Sequence, residues 1–321
     1  MSDSQNKAHR GEKPLVEDNS MHRRAHAHDY SRRGMYLVTL VARDRTCIFG
    51  SLAGPASDPR VAYSPFGERV LKEELPKISR FYPNVGIVRQ CIMPDHIHLI
   101  IYVKEDMPKG KCLGNVISGF KLGCNRCYWT LYGKTEHGIF EEGYNDKILL
   151  SRGQLDRWIK YVEDNPRRLA LKKLHPDLFR VVSTVSVCGE NCRMVGNLFL
   201  LDHPDKMAVV FHRRYSQMEV QRLRAEWLAF AAAGGVLVSG AIAPLEREVL
   251  AEALRLGGSV IRLVPEGFSQ YYKPSGLYID ACAEGRVLEL SLFEYQTKKN
   301  QDFRARCLRH NALAERIAAG K

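Results

Sequence analysis

The segment Pro94-Asp95-His96-Ile97-His98-Leu99-Ile100-Ile101 constrains the fold of this 321-residue chain more than any other. Alternate side chains of an extended strand share a face. Ile97, Leu99, Ile101 and Val103 therefore form one apolar face that can bury against helices, while His96 and His98 project side by side from the other. Two imidazoles on one face of a rigid strand make a preformed half-site for a divalent metal. The plainer reading of the same pair is two satisfied sheet histidines.

The flanking sequence predicts the rest of that sheet. Met35 to Ala42 and Val85 to Met93 read as strands, and Met93-Pro94-Asp95 is a tight connection into the histidine strand. Residues 66–80 and 111–132 read as helices, the first kinked or broken at Pro76. Strand, helix, strand, strand, helix is the order of a split βαβ, ferredoxin-like α+β sheet. Further on, Leu155, Trp158, Ile159 and Val162 form one apolar helical stripe, in a helix that ends at Asn165-Pro166. Tyr161 lies on the flank of that stripe, with Asn165 one turn beyond it. The carboxamide oxygen of Asn165 can add a third ligand to a metal held by His96 and His98, with Tyr161 a few ångströms away. A phenol with its usual pKa of about 10 is a poor nucleophile. Beside a metal that polarises a phosphate, its attack becomes feasible. Taken alone, Tyr161 is a boundary aromatic.

At this point the motifs resemble a known group. Met93 to Ile101 (MPDHIHLII) resembles the His-hydrophobic-His motif of HUH single-strand nucleases. Tyr161 to Pro166 (YVEDNP) resembles the Tyr-x-x-x-Asn-Pro signature of REP-associated tyrosine transposases, and Gly143-Tyr144-Asn145-Asp146 the group's segment between the two motifs. The resemblance covers residues 35 to about 175. It implies a ferredoxin-like HUH palm in which His96, His98 and Asn165 hold Mg²⁺ or Mn²⁺ and Tyr161 is the nucleophile. The implied activity is that of a metal-dependent single-strand DNA endonuclease and strand transferase, working through a 5′-phosphotyrosine on hairpin-flanked single-stranded DNA. Relatives work as monomers or as dimers that exchange the tyrosine helix, which leaves a homodimer open.

Charge agrees with a polyanionic partner. Lys plus Arg is 48 against 36 for Asp plus Glu, a net charge of +12. Arg167, Arg168, Lys172 and Lys173 follow the tyrosine and are candidates to hold the DNA backbone. Tyr128, Trp129 and Tyr132 could stack bases, although core packing is the favoured reading. No apolar run approaches the roughly 20 residues of a spanning helix. With reduced thiols the default for nine scattered cysteines, the expected location is cytoplasmic and nucleoid-associated. Cys124, Cys127, Cys188 and Cys192 read as free thiols, with a Cys₄ zinc site as the alternative.

Three segments are expected: a flexible basic arm over 1–33, the HUH domain over 34–180, and an α/β Rossmann-like domain over 181–321. In the last, Leu198 to Leu201, Met207 to Phe211, Val236 to Gly240, Val260 to Val264 and Val287 to Phe293 read as strands between helices. It weakly resembles the sheet of DNA-processing protein A, and the turn before the helix at 245–256 could receive a phosphate on its N–H groups. Lys298, Lys299, Arg304, Arg306 and Arg309 read as a solvated basic helical tail. Two rival functions follow: a non-cleaving DNA-binding or processing protein that uses the C-terminal sheet, and a metal hydrolase that uses water as its nucleophile.

Overall fold

The computed structural model of the protein describes residues 28–55, 58–211, 215–296 and 302–320. Residues 1–27, most of the expected arm, and Lys298 and Lys299 lie outside the described residues. The chain divides into two units, Met1–Arg167 and Arg168–Lys321. The division falls before the expected boundary at residue 180, because Leu171, Leu178 and Phe179 pack into a core of the second unit.

In the first unit, β1 (Gly34–Val41) is followed by the hairpin β2 (Gly50–Ala53) and β3 (Arg60–Tyr63). Next come α1 (Pro65–Arg69), a π-helical stretch (Val70–Glu74) and α2 (Leu75–Phe81). Of the expected kink or break at Pro76, no break occurs: the helical run continues through it. Pro76 sits in the first turn of α2, just after the π stretch, where its missing N–H is tolerated. β4 (Val85–Met93), β5 (His96–Val103), α3 (Leu113–Tyr132), β6 (Asn145–Ile148), α4 (Gln154–Glu163) and α5 (Asn165–Leu174) complete the order, α5 continuing past the division. The sheet runs β4-β5-β1-β6 with every neighbouring pair antiparallel.

Alternation along β5 sorts the two faces. Ile97, Leu99, Ile101 and Val103 are fully buried in a core shared with Phe66, Ile78 and Phe120 of the helices. On the other face, Leu37 and Ile100 pack against Trp158 and Val162 of α4. Residues 28–33, assigned to the arm, are tied to this unit. The Tyr30 hydroxyl donates to Asp146 at 2.8 Å, its carbonyl accepts from Leu113 N–H at 3.0 Å, and Arg33 N–H donates to Asp106 at 2.8 Å.

The second unit holds β7 (Val182–Val187), β8 (Glu190–Gly196), β9 (Lys206–Ala208), α6 (Gln217–Ala232), β10 (Val236–Ser239), α7 (Pro244–Arg255), β11 (Ser259–Leu263), α8 (Leu277–Ala283), β12 (Val287–Ser291) and α9 (Phe303–Ala318). Its sheet runs β7-β8-β12-β11-β10-β9. β9 to β12 are parallel, and β8 joins β12 antiparallel. α6, α7 and α8 cover one face and α9 the other. The parallel strands keep sequence order across the sheet. They therefore lack the reversal that opens a ligand crevice in a doubly wound sheet. Leu198 to Leu201 is not a strand but part of a 3₁₀ turn, Leu198–Asp202, started by Asn197, whose side chain accepts from Phe199 N–H at 3.1 Å. No helix among the described residues is long and apolar enough to cross a membrane.

Candidate active site

The site face is built from the middle of the first sheet. Register sets His98 opposite Thr39 and His96 opposite Val41 on β1. The two imidazole centroids are 4.7 Å apart and nearly perpendicular, at 82°. Each ring has one nitrogen engaged. His96 Nδ1 donates to the Asp95 carboxylate at 2.7 Å, and His98 Nδ1 shares a 2.9 Å hydrogen bond with the Thr39 hydroxyl. Asp95 is held in turn by Arg45 at 3.2 Å, and its carbonyl accepts from Ala42 N–H at 2.9 Å. Asp44 and Arg45 both have left-handed backbones, at φ 54° and 55°, a conformation uncommon outside glycine.

The electrostatics follow from this placement. Burial works to raise the Asp95 carboxyl, but the hydrogen bond and charge of His96, aided by Arg45, bring it down to about 2. Burial, then the charge of His96, holds His98 well below the ordinary histidine range, and Lys147 and Arg45 add to this. Its ring is therefore neutral at physiological pH, the state in which imidazole binds metals.

Tyr161 reaches the same face from α4. Its ring centroid lies 5.4 Å from that of His98, at 65°, and the residue is 38% exposed. The helix docks because Trp158 and Val162 are buried against Leu37 and Ile100. It starts at Gly153, whose φ of +73° suits glycine, and the Gln154 side chain accepts from the N–H groups of Leu150 and Ser151. Asn165 is buried, and its Nδ2 donates to the Tyr161 carbonyl at 2.7 Å. That bond fixes the amide plane while Oδ1 remains an acceptor. α4 closes at Asp164, where the sequence placed the end of the helix, and Pro166 enters the first turn of a new helix, α5, where no N–H is required.

The Gly143 to Asp146 segment is fastened from behind. Lys121 of α3 donates to the carbonyls of Glu141 at 2.6 Å and Gly143 at 2.8 Å, and Tyr144 is buried. Thus the structure gathers His96, His98 and Tyr161 on one face, with Asn165 clasped to the Tyr161 turn. Arg167 is committed to Asp164 through two contacts, at 2.5 and 3.0 Å. Arg168, Lys172 and Lys173 belong to the second unit. Thr39, Asp95 and Arg45 went unread in the sequence as site residues. Asp95 had a signal, adjacency to His96, whereas Thr39 is visible through strand register alone.

The other sequence candidates resolve differently. Tyr128 packs on Phe66 with centroids 5.1 Å apart, which fits core packing, whereas Tyr132 is 52% exposed. Cys124 and Cys127 are buried in the first unit, while Cys188 and Cys192 lie in the second. Among the described residues no three His, Cys, Asp or Glu side chains cluster as a metal site, so the Cys₄ arrangement is not formed there. The phosphate cradle before α7 is filled from within. Glu246 accepts from the N–H groups of Phe211, Ile242 and Ala243, at 2.8, 2.7 and 3.1 Å. The described part of the basic tail is mixed, with Arg304 and Arg309 exposed and Arg306 half-buried. In α9, Arg306 lies over the Phe293 ring and Arg309 pairs with Glu190. A cleft of about 720 Å³ lined by Ile78, Phe81, Phe120 and Leu122 lies between α2 and α3, and the histidines do not line it.

No family model matches the chain. An uncharacterized Haemophilus influenzae protein is 24% identical over 158 residues, which cover 43% of this chain and 83% of that protein. Among solved structures, a REP-associated tyrosine transposase bound to a REP hairpin is 15% identical. It covers 47% of this chain and 82% of its own, with a TM-score of 0.32. DNA processing protein A from Helicobacter pylori is 21% identical, covering 43% of this chain and 66% of its own, with a TM-score of 0.33.

Proposed function

We propose that the first unit is a ferredoxin-like palm that cuts and transfers single-stranded DNA with Tyr161 as nucleophile. The observation that carries this reading is the placement of the exposed Tyr161 phenol against the His96–His98 pair on one face of the sheet. The β-α-β-β-α-β order with sheet order β4-β5-β1-β6 supports the palm.

The residues present fit a divalent metal. With Nδ1 of His96 donating to Asp95, its Nε2 lone pair is left for a cation, and His98 is equivalent in the tautomer whose Nδ1–H donates to Thr39. Asn165 Oδ1 would be the third donor, its Nδ2 being held by the Tyr161 carbonyl. Mg²⁺ or Mn²⁺ bound there would neutralise charge developing on the scissile phosphate.

The chain's own residues would do the rest. Tyr161 Oη attacks phosphorus, the P–O3′ bond breaks, and a 5′-phosphotyrosine forms. The phenolic proton leaves Tyr161 and the 3′ oxygen ends protonated as a free hydroxyl. The covalent bond conserves the phosphodiester, so a second strand's 3′-OH can reverse the step without ATP. Lys172 and Lys173 are proposed as phosphate-backbone contacts.

The test is a covalent adduct assay on hairpin-flanked single-stranded oligonucleotides. Wild-type protein should give an adduct with Mg²⁺ or Mn²⁺ and none with EDTA, while Tyr161→Phe should bind DNA and give none. An adduct from Tyr161→Phe removes the assignment. Turnover without any adduct moves the chemistry to a water nucleophile.

A further inference from the structure

The charges around this face are of two kinds. Arg45 is paired with Asp95, Arg89 with Glu163 at 3.1 Å, and Arg167 with Asp164. Among the described residues, Lys147 makes no ion pair and no side-chain hydrogen bond, and it is exposed.

Its direction is fixed by the pleat of β6. Tyr144 and Ile148 join the core on the helix side of the sheet, and Asp146 meets the Tyr30 hydroxyl. Asn145 and Lys147 therefore project from the opposite face. Register agrees: Asn145 lies opposite Thr39, the partner of His98, and Lys147 lies opposite Leu37, which packs with Trp158 of the tyrosine helix. β6 is the edge strand, and Lys121 anchors the loop that feeds it. Lys147 is thus a solvated ammonium presented from a held strand, beside the row that carries His98. Lysine is suited to such a place, as a point charge with three donors and no need for a planar partner.

We propose that Lys147 is a phosphate contact of this site, donating from its ammonium to a non-bridging oxygen of the DNA strand that crosses the His96–His98–Tyr161 face. The inference rests on the single-strand DNA reading above and adds a residue to it. Lys147 transfers no proton. It places the strand and offsets phosphate charge, the role that favours phosphate contacts for position over sequence.

The experiment compares Lys147→Gln and Lys147→Arg with the parent chain. In the Tyr161→Phe background, binding of a single-stranded oligonucleotide is followed against salt concentration. Lys147→Gln should lower the slope of log K against log [salt] by about 0.7, the loss of one phosphate contact on a single strand, and Lys147→Arg should keep it. In the Tyr161 background, adduct formation by Lys147→Gln should slow by roughly 10- to 150-fold, the range for losing one charged hydrogen bond. An unchanged salt slope for Lys147→Gln overturns the proposal. Because the slope is read without cleavage, it decides for Lys147 even when the wild type gives no adduct, an outcome that instead sinks the nucleophile reading.

Discussion

On the first sheet, His96 and His98 each commit Nδ1 to a neighbour, and the His98 ring lies beside the exposed Tyr161 ring. On the second sheet, Glu289 is fully buried and both its oxygens are answered, by Arg262 at 2.7 Å and the Tyr272 hydroxyl at 2.8 Å. Arg262 is capped by the Tyr278 ring at 4.6 Å, and Tyr272 stacks on Phe268 at 4.3 Å. Glu246 likewise saturates the amides before α7. Both regions hold ionisable groups at a sheet, yet they differ in what is left over. A closed set of partners belongs to the fold, because opening it strands a buried charge. A neutral imidazole with an unused lone pair, next to a reachable nucleophile, is where ligand chemistry can begin.

The open and the closed site should respond differently to substitution. The largest effect is expected at the open site: Tyr161→Phe should cut adduct formation by about 10⁴-fold or more with an unchanged melting temperature. A comparable loss of stability would make Tyr161 a packing residue. At the closed cluster the expected effect is on folding. Arg262→Met should destabilise the second unit by about 3–5 kcal/mol in denaturant unfolding, and Arg262→Met with Glu289→Leu should recover most of it. Adduct formation at low temperature should not change in either variant. A single variant as stable as the wild type would show that Glu289 finds another partner, and that the cluster is not closed.

Smaller effects sharpen the open site. Asp95→Asn and Thr39→Val should each weaken Mn²⁺ binding by roughly 10- to 100-fold, read by titration of the protein alone, with circular dichroism unchanged. Equal affinity in Thr39→Val would mean that the His98 tautomer needs no help from β1. The smallest change is expected at Arg167. Its pair with Asp164 is partly exposed, so Arg167→Ala should cost about 0–1 kcal/mol of stability. Its single-strand affinity should fall less than that of Lys147→Gln.

Much of the first sheet could be read from alternation. β4 and β5 fall where the sequence put them, with the predicted core face of β5 fully buried. The hairpin of β7 and β8 escaped notice. Its turn is Cys188-Gly189, with both residues at positive φ, and a cysteine there gives no turn signal. At α6 the structure adds a reciprocal cap, Ser216 with Glu219, that marks the start of the helix. The 3₁₀ turn at Leu198 was not legible, since an apolar run of four looks the same in a short strand.

Residue order along the chain is enough to put His96 and His98 on one face, to set Ile97, Leu99, Ile101 and Val103 opposite them, and to place Tyr161 and Asn165 one turn apart. These are consequences of backbone periodicity, which acts over a few residues and needs no partner. The tertiary structure alone decided that Thr39 meets His98, that Lys147 comes to stand beside that row, and that Glu246 rather than a phosphate occupies the amides before α7. Strand register and the capture of orphan amides are set by competition between groups far apart in the chain. Their outcome is fixed when the sheet and its helices pack together.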